Sequence, residues 1–257
     1  MALRLLGESP MDIHTGGVDL IFPHHENEIA QSEGATGKQF SRFWVHVEYL
    51  IVDEQKMSKS LGNTYTIPDV VARGYRPSAV RYLLLSAHYR KQLNFTWTSL
   101  TQAEEALRRL TDFLARLGTV TAPGAHADVA ERVAYARKAF SEAMQDDLNT
   151  AAALGVIFEL VRSLNSSIDG GQLSAGDVPE IRKAFDEFDQ VLGVFSLRQG
   201  EDDRPPVPVE EIDRLIEERH AARRRRDFAA ADRIRDDLAA RGVLLEDSSG
   251  ATRWKRK

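Results

Sequence analysis

Two lysines three residues apart, Lys56 and Lys59, are the side chains in this sequence best suited to bind an anion. They lie in the stretch DEQKMSKSLGN, which also contains small hydroxyl side chains and Gly62. This composition is typical of a mobile loop. A lysine on its flexible stem brings a compact positive charge to a polyphosphate. On composition alone, the alternative is a solvated surface turn, because most loops rich in lysine and serine have no other role.

A histidine and a glutamate four residues apart, His24 and Glu28, suggest a metal site. Pro23 suits the entry of a helix, and residues 24–32 are predicted to be helical. Residues four apart share one face of a helix. Imidazole nitrogen and carboxylate oxygen are both ligands that zinc takes in proteins. The alternative is an exposed His–Glu pair without a metal, and the spacing alone favours that alternative.

The pattern of apolar residues predicts an α/β region followed by helices. Residues 43–49 and 49–52 read as strands that lead into the lysine loop. The glycine pair Gly16 and Gly17 indicates a place where the backbone approaches a neighbour closely. From Thr101, whose sequence has the form of a capping box, four amphipathic stretches follow with short connections. Such a series predicts a helical bundle.

The last quarter of the chain predicts a separate small domain. Residues 198–208 contain three prolines and are predicted to be a linker. Beyond them we expect two helices and a hairpin around a Ser-Ser-Gly turn. The predicted limits are 1–98 for the α/β region with the lysine loop, 99–197 for the bundle, 198–208 for the linker and 209–257 for the C-terminal domain.

Charge is distributed unevenly along the chain. The net charge is -5, which argues against a general nucleic-acid binder. Residues 220–257 nevertheless contain 11 Lys and Arg against 6 Asp and Glu. A basic tail on an acidic chain predicts a local contact with RNA or DNA. A solubilising charged end is an equally good interpretation of charge alone.

Hydrophobic residues make up 42% of the chain, enough for a buried core. No apolar run approaches the roughly 20 residues that span a bilayer, and the N-terminus has no pattern of a secretion signal. We therefore expect a cytoplasmic protein. There is no cysteine, so this chain supplies neither a disulfide nor a thiolate ligand.

The pentapeptide at residues 56–60 resembles the KMSKS signature of class I aminoacyl-tRNA synthetases at all five positions. The resemblance implies that ATP, accompanied by Mg²⁺, is bound by Lys56, Ser58, Lys59 and Ser60. It makes Lys59 the main phosphate ligand and Lys56 a supporting one. Both would act catalytically, by stabilising the charge that moves onto pyrophosphate.

The stretch DIHTGGVDLIFPHHENEIAQSE resembles the cysteinyl-tRNA synthetase family. In that family a zinc ion with two cysteine ligands, a histidine and a glutamate holds the thiolate of substrate cysteine. The resemblance implies that His24 and Glu28 are zinc ligands here. It places Asp19 near the substrate amino group and His14 in the wall of the same pocket. The implied fold is an α/β remnant of a Rossmann-like class I catalytic domain, then an α-helical bundle and a small, mostly helical C-terminal domain.

The C-terminal stretch DFAAADRIRDDLAARGVLLEDSSGATRWKRK also resembles the cysteinyl family, whose last domain reads the anticodon. Arginine and tryptophan together suit unstacked single-stranded bases, by contact with phosphate and by stacking. The candidates for tRNA binding are Arg223, Arg224, Arg225, Arg226 and Trp254. Trp254 serves equally well as a core residue of a small domain. We expect a monomer.

Two features of the family are not found in this sequence. These are the two zinc-binding cysteines and the histidine–glycine ATP signature of the first half of the nucleotide fold. We expect both to lie upstream of this chain, which would then be the C-terminal part of the enzyme. Such a chain should hold zinc weakly and be inactive alone.

Three functions are therefore open. The resemblance favours ATP-dependent ligation of L-cysteine to its tRNA. A related ligase that joins cysteine to an amino-sugar in mycothiol synthesis shares the zinc and adenylation motifs, but it needs no anticodon domain. The third is a non-catalytic tRNA-binding protein or fragment, in which the KMSKS loop and the His24/Glu28 pair would have no evident purpose.

Overall fold

The computed structural model describes residues 5–7, 10–203, 207–248 and 251–256. The chain divides into two compact units, Met1–Leu192 and Gly193–Lys257. The finer domain limits drawn from the sequence remain predictions. A helix suggested by the apolar spacing of residues 1–7 lies mostly outside the described residues.

The first unit begins with a β–α–β arrangement. Strand β1 (Met11–Gly17) pairs in parallel with strand β2 (Ser41–Val47), and helix α1 (Glu26–Thr36) lies between them in sequence. Two short turns, Val18–Leu20 and Ile21–His25, connect β1 to α1. The regular α-helix thus begins two residues later than the sequence predicts.

The register of β1 and β2 separates two kinds of side chain. Ile13 lies opposite Phe43, and His14 lies opposite Trp44. Because successive side chains of a strand point to opposite faces, the histidine and the tryptophan share one face and the two apolar residues share the other. The first of these faces carries the candidate site.

A second, three-stranded sheet presents the lysine loop. Its central strand β3 (Leu50–Val52) pairs antiparallel with β4 (Gln55–Lys56) and parallel with β5 (Leu93–Phe95). Asp53 and Glu54 connect β3 to β4 with φ angles of 46° and 63°. Positive φ at both central residues is typical of a tight two-residue hairpin. The hairpin therefore delivers the chain directly into the loop at Lys56.

Six helices complete the first unit. Helices α2 (Ile67–Ala72) and α3 (Pro77–Leu85) follow the loop. The predicted four-helix bundle is present, made of α4 (Trp97–Leu117), α5 (Ala127–Gln145), α6 (Thr150–Asp169) and α7 (Val178–Leu192).

The capping box predicted at Thr101 is wrong. Helix α4 begins earlier, because Thr96 and Ser99 exchange side-chain and backbone hydrogen bonds ahead of its first turn. Thr101 lies inside the helix, where its hydroxyl donates to the carbonyl of Trp97.

Helix α6 is long and apolar enough to cross a membrane, by length and composition only. The core helix of a soluble protein passes the same test. Ile157, Leu160 and Leu164 of α6 are buried within the described structure.

Polar contacts tie the α/β region to the start of α6. The Asp147 carboxylate accepts hydrogen bonds from Tyr89 Oη and Arg90 Nε, both at 2.6 Å. These two bonds hold the pKa of Asp147 below its usual value. Asn149 caps α6 by accepting from the backbone N–H of Ala152. Asp147 and Asn149 therefore serve here as a polar contact and a helix cap.

The second unit consists of helices α8 (Phe195–Asp202), α9 (Val209–Arg224) and α10 (Phe228–Ala240) and a hairpin of β6 (Val243–Ser248) and β7 (Ala251–Arg256). Its core is formed by Val207, Ile212, Ile216, Leu238 and Val243. The predicted helix pair and hairpin are present, although part of the Ser-Ser-Gly turn lies outside the described residues. The segment predicted as a linker, 198–208, is helical as far as Asp202.

A buried arginine fixes the hairpin to α9. The Arg219 side chain is 1% exposed, and its two terminal nitrogens donate to Asp247 at 2.9 and 2.7 Å. Thr252 also donates to Asp247 at 2.8 Å. These hydrogen bonds, with the nearby charges of Arg219 and Arg223, hold the pKa of the Asp247 carboxyl far below its usual range.

We expect Asp247→Asn to lower the free energy of unfolding of the second unit by about 1–3 kcal/mol at pH 7, because Arg219 loses a charged partner in a buried place. A depressed carboxyl pKa stabilises the folded state above the unfolded-state value of about 3.9 and loses that effect as pH falls further. The difference between the two proteins should therefore shrink below about pH 4.

The measurement is urea unfolding at several pH values, followed by NMR signals of residues 207–248. Asp236→Asn is the control, because the Asp236 side chain is 73% exposed and pairs with the neighbouring Arg235 at 3.6 Å. A loss of stability that stays constant down to pH 2 would contradict the assigned role of the carboxylate.

Candidate functional site

The glycine pair at the end of β1 makes room for a histidine. A methyl group on Gly16 would come within 2.6 Å of the His25 ring, and one on Gly17 would come within 2.5 Å of the Asp19 carboxylate. Non-bonded atoms in real structures do not come this close, so a Cβ atom at either glycine would require its neighbour to move. The close approach predicted from the two glycines is therefore present: the His25 ring packs against Gly16, and the Asp19 carboxylate packs against Gly17.

His14, His24 and Glu28 come together beside the strand pair. His14 Nε2 lies 2.9 Å from Glu28 Oε2, and His24 Nε2 lies 3.8 Å from Glu28 Oε1. Despite the short distance to His14, Glu28 Oε2 is a buried oxygen with no hydrogen-bond partner of acceptable geometry among the described residues. A carboxylate oxygen left in this way, facing imidazole nitrogens, is suited to a cation.

The donor set fits zinc, which takes imidazole nitrogen and carboxylate oxygen at about 2.0–2.2 Å. Ligand atoms of His14, His25 and Glu28 all lie within 4.8 Å of one another. His24, the ligand expected from the sequence, is more exposed, with 60% of its side chain open to solvent. Of the two expected ligands, this group contains Glu28 but not His24, which lies 3.8 Å from Glu28 Oε1; His14 and His25 are its other members.

His25 is the residue that sequence reasoning missed. It is 3% exposed, and its Nδ1 lies 2.8 Å from Nε2 of His46 on β2. Its ring also contacts those of His14 and Trp44, with centroids 4.9 Å away in each case. Burial, together with the His14 and His46 imidazoles, lowers the pKa of His25. It is therefore neutral at physiological pH and offers a hydrogen-bond donor and an acceptor.

Asp19, predicted to contact a substrate amino group, lies in the short helical turn that follows β1. Its carboxylate is exposed and stands beside Gly17. This position, at the carboxyl end of a parallel strand, is where α/β sheets place ligand-binding groups.

The lysine loop is held in shape by Asn63. The Asn63 side chain accepts a hydrogen bond from the N–H of Ser58 at 2.8 Å and donates to the carbonyl of Lys56 at 3.1 Å. Ser58 in turn caps a short helical turn by accepting from the N–H of Leu61. The loop therefore has a defined backbone, and Asn63 is a positioning residue that the motif did not reveal.

The side chains of the loop remain available. Lys59 is exposed, and the described residues provide it with no ion pair. Lys56 lies 5.7 Å from the centre of the Tyr49 ring, a cation–π contact. Ser58 and Ser60 hydroxyls are 3.2 Å apart. An exposed ammonium group above a backbone of fixed shape is suited to an incoming anion.

The arginine run of the second unit lies at the turn between α9 and α10. Arg223, Arg224, Arg225 and Arg226 are all exposed. Arg223 also pairs with Asp247 at 3.2 Å, so part of its charge is already neutralised.

Two aromatic residues of this unit differ in exposure. Trp254 is half-buried and packs against the apolar core, opposite Leu245 in the hairpin register. Phe228, two residues after the arginine run, is 63% exposed. The aromatic group that stands open beside the arginines is thus Phe228, which sequence reasoning did not select.

We expect Asn63→Ala to speed hydrogen exchange of the Ser58 amide by about fivefold or more, because the loss of a hydrogen bond worth about 1 kcal/mol raises the open fraction by that factor. NMR-detected exchange measures it. The matched control is Asn94→Ala, which removes the acceptor of the Glu54 N–H and should affect only that amide. Unchanged exchange at Ser58 would remove Asn63 from its assigned role.

Three family models match the chain. They are the class I (C) catalytic domain of tRNA synthetases over residues 1–105, the DALR domain over 139–196 and the cysteinyl-tRNA ligase anticodon binding domain over 206–254. The fold accordingly consists of a region with small sheets that matches a class I catalytic domain, followed by helical domains.

Curated relatives align with the whole of this chain. A cysteine–tRNA ligase of Solibacter usitatus is 52% identical over 260 residues, and one of Geobacter sulfurreducens is 45% identical over 272. The chain covers 54% and 56% of these two relatives, so it spans about half of their length.

Among solved structures, a LeuRS of Agrobacterium radiobacter K84, in a ternary complex with tRNA and LeuAMS, shares the fold. The TM-score is 0.55 with 21% identity, over 74% of this chain and 28% of the other. The family models and the whole-chain relatives agree, and the chain is similar along its whole length to cysteine–tRNA ligases.

Proposed function

We propose that the chain takes part in the ATP-dependent ligation of L-cysteine to its tRNA, as a cysteine–tRNA ligase. The observation that carries the proposal is the cluster of His14, His24 and Glu28 in a chain that aligns throughout with cysteine–tRNA ligases. In the reaction the cysteine carboxylate attacks the α-phosphate of ATP and pyrophosphate leaves. A terminal ribose hydroxyl of the tRNA then takes the aminoacyl group and AMP leaves.

His24 and Glu28 are the proposed zinc ligands of this chain, completed by two further ligands expected upstream of this chain. When bound, zinc supplies a coordinate bond to a thiolate, which the alcohol of serine cannot match. A bond that the competitor cannot form discriminates better than the shape of a pocket. His25 is buried and supports the arrangement by packing edge-on against the His14 ring.

His14 and Asp19 are the proposed contacts to the amino acid. Asp19 carries an exposed carboxylate, which suits the ammonium group of cysteine. His14 is less exposed, at 23% of its side chain, and stands between Glu28 and Trp44. Together they would orient cysteine so that its carboxylate is free to react. Holding a reacting group in the correct position in this way contributes strongly to the rate of a reaction.

Lys59, Lys56, Ser58 and Ser60 are the proposed ATP ligands, with Mg²⁺ accompanying the nucleotide. Lys59 is exposed and suited to the β- and γ-phosphates. As pyrophosphate leaves, its ammonium group stabilises the charge that develops there. Asn63 keeps the loop backbone in the shape that presents it.

Arg223, Arg224, Arg225, Arg226 and Trp254 are the proposed tRNA contacts, and the exposed Phe228 joins them. Arginines beside an open aromatic ring suit a single-stranded loop, where bases stack and phosphates pair with guanidinium groups. The match of this unit to an anticodon binding domain supports tRNA as the partner rather than an amino-sugar. A monomeric, cytoplasmic protein is part of the same proposal.

The metal proposal predicts weak zinc binding by this chain, because it provides no thiolate. His24→Ala should lower the affinity by at least about tenfold. Calorimetric titration with Zn²⁺ at pH 7.5 measures it, with His126→Ala as the control, a histidine of the bundle paired with Asp177. Tight, stoichiometric zinc that survives dialysis against a mild chelator would contradict the incomplete ligand set.

The tRNA proposal predicts that the triple variant Arg224→Ala, Arg225→Ala, Arg226→Ala binds cysteine tRNA at least about tenfold more weakly in 100 mM salt. Each lost phosphate contact should also reduce the slope of log affinity against log salt by about one. Phe228→Ala should weaken binding without changing that slope, since stacking releases no counterion.

The matched control removes the same charge from the bundle surface, through Arg108→Ala, Lys138→Ala and Arg162→Ala, three exposed positions. Filter binding at a series of salt concentrations gives both the affinity for tRNA and the slope of log affinity against log salt. An equal loss in the two triple variants would place the recognition surface outside the second unit.

A further inference from the structure

Helix α9 ends in a turn that holds one residue in an unfavourable backbone conformation. The N–H of Arg226 donates to the carbonyl of Arg223 at 3.0 Å, and the N–H of Asp227 donates to the carbonyl of Ala222 at 2.9 Å. This pair of hydrogen bonds is the pattern of a Schellman motif, in which the residue after the helix cap is left-handed. Arg226 is that residue, and its φ angle is 61°.

Glycine is the usual residue at this position. A left-handed backbone brings the Cβ of any other residue too close to the following carbonyl oxygen, whereas glycine has no Cβ. The next helix of the same unit, α10, follows the usual rule, because Gly242 comes directly after its cap and has a φ angle of 84°. The two helices thus end in the same backbone conformation, one with a glycine and the other with an arginine.

The other three arginines of the run have a favourable place in the structure without any ligand. Arg223 pairs with Asp247 at 3.2 Å. Arg224 is the last residue of α9, and Arg225 is its cap with a φ angle of -80°. Positive side chains are favourable there, because the carbonyl end of a helix carries partial negative charge. That effect is confined to the last turn, so it does not account for Arg226.

The Arg226 side chain has no structural partner that would offset the strain of its backbone. It is exposed, and no ion pair or hydrogen bond joins its guanidinium group to a residue that the structure describes. The carboxylate of the neighbouring Asp227 accepts from the N–H of Ala230 and caps α10. Backbone strain that persists in a native structure is concentrated at functional sites.

We propose that Arg226 is the residue of the arginine run that binds a backbone phosphate of the tRNA, and that its strained conformation is kept for this contact. The choice of tRNA rests on the proposed function, whereas the assignment to Arg226 rests on the backbone of the turn. A guanidinium group offers a phosphate two parallel charge-assisted hydrogen bonds, which glycine does not. Phosphates carry no sequence information, so the contact adds affinity without selecting among tRNAs.

The test is Arg226→Gly in the full 257-residue chain, because stability and binding should change in opposite directions. Relief of the strain should raise the midpoint of thermal unfolding of the second unit by about 2–5 °C. Loss of the guanidinium group should weaken the binding of cysteine tRNA at least about fivefold in 100 mM salt, and lower the slope of log affinity against log salt by about one. NMR signals of residues 207–248 follow unfolding, and filter binding gives the affinity.

The matched control is Arg225→Gly, which removes the same charge and introduces the same residue where φ is negative. It should lower the midpoint, because glycine gains flexibility in the unfolded chain, and weaken tRNA binding only about twofold. Arg226→Lys keeps both the charge and the strain. It should leave the midpoint unchanged and retain most of the affinity that Arg226→Gly loses.

Three results would overturn the proposal. The first is a midpoint that Arg226→Gly leaves unchanged or lowers, since the conformation would then have no cost. The second is an equal loss of tRNA affinity in Arg225→Gly and Arg226→Gly, since charge alone would then explain binding. The third is a loss that differs between cysteine tRNA and a tRNA with another anticodon, since Arg226 would then read a base.

Further results separate this proposal from the one on function. If the triple variant of residues 224–226 loses tRNA affinity while Arg226→Gly keeps it, tRNA binding stands and the assignment to Arg226 fails alone. If the parent binds a single-stranded RNA of unrelated sequence as tightly as cysteine tRNA, and Arg226→Gly weakens both, the phosphate contact stands and cysteine tRNA fails as the partner. If the parent binds no RNA, both proposals fail.

Discussion

The packing of one buried imidazole against a glycine fixes the geometry of the candidate site. His25 touches Gly16 so closely that no side chain fits there, and it bonds to His46 on the neighbouring strand. These contacts hold the end of the connection between β1 and α1. The first turn of α1 follows immediately, and with it Glu28. The positions of His14 and Glu28 relative to each other therefore depend on the buried His25.

In the second unit, a buried salt bridge has a comparable structural role. Arg219 is buried, so its positive charge is acceptable only because Asp247 meets it with two hydrogen bonds. The pair joins α9 to the hairpin, and α9 ends in the arginine run. The same acidic residue engages Arg223, whereas the arginines that follow remain exposed. Arg223 is thus partly neutralised by a structural contact, whereas the other three arginines are exposed.

The sequence is sufficient to predict elements and motifs, because these depend on local spacing. The strands around the lysine loop, the four bundle helices and the final helix pair with its hairpin all follow from apolar periodicity and turn residues. Asn149 and Asp227 could be recognised as caps, since capping acts within three residues. The start of α4 was misplaced because Thr96 and Thr101 both have plausible capping partners, and local sequence does not rank them.

The sequence does not predict which side chains are buried, or which residues far apart in the chain contact each other. His24 and His25 are adjacent and chemically identical, yet one is 60% exposed in its side chain and the other is buried, as set by contacts with residues more than 20 positions away. Trp254 and Phe228 show the same limit. The hairpin register brings Trp254 against the core, whereas Phe228 begins a helix beside the arginines and stays open. In the sequence both residues are aromatic and close to basic residues, and only the tertiary structure shows which of the two is exposed.

The two faces of the β1–β2 pair are coupled by the alternation of side chains. Every residue that turns an imidazole or indole toward the candidate site has neighbours in the strand that turn uncharged side chains to the other side. A one-residue slip in register would exchange the two sets, so the strands have to be fixed for the site to exist. The histidine site and the apolar face are thus two consequences of one strand pairing.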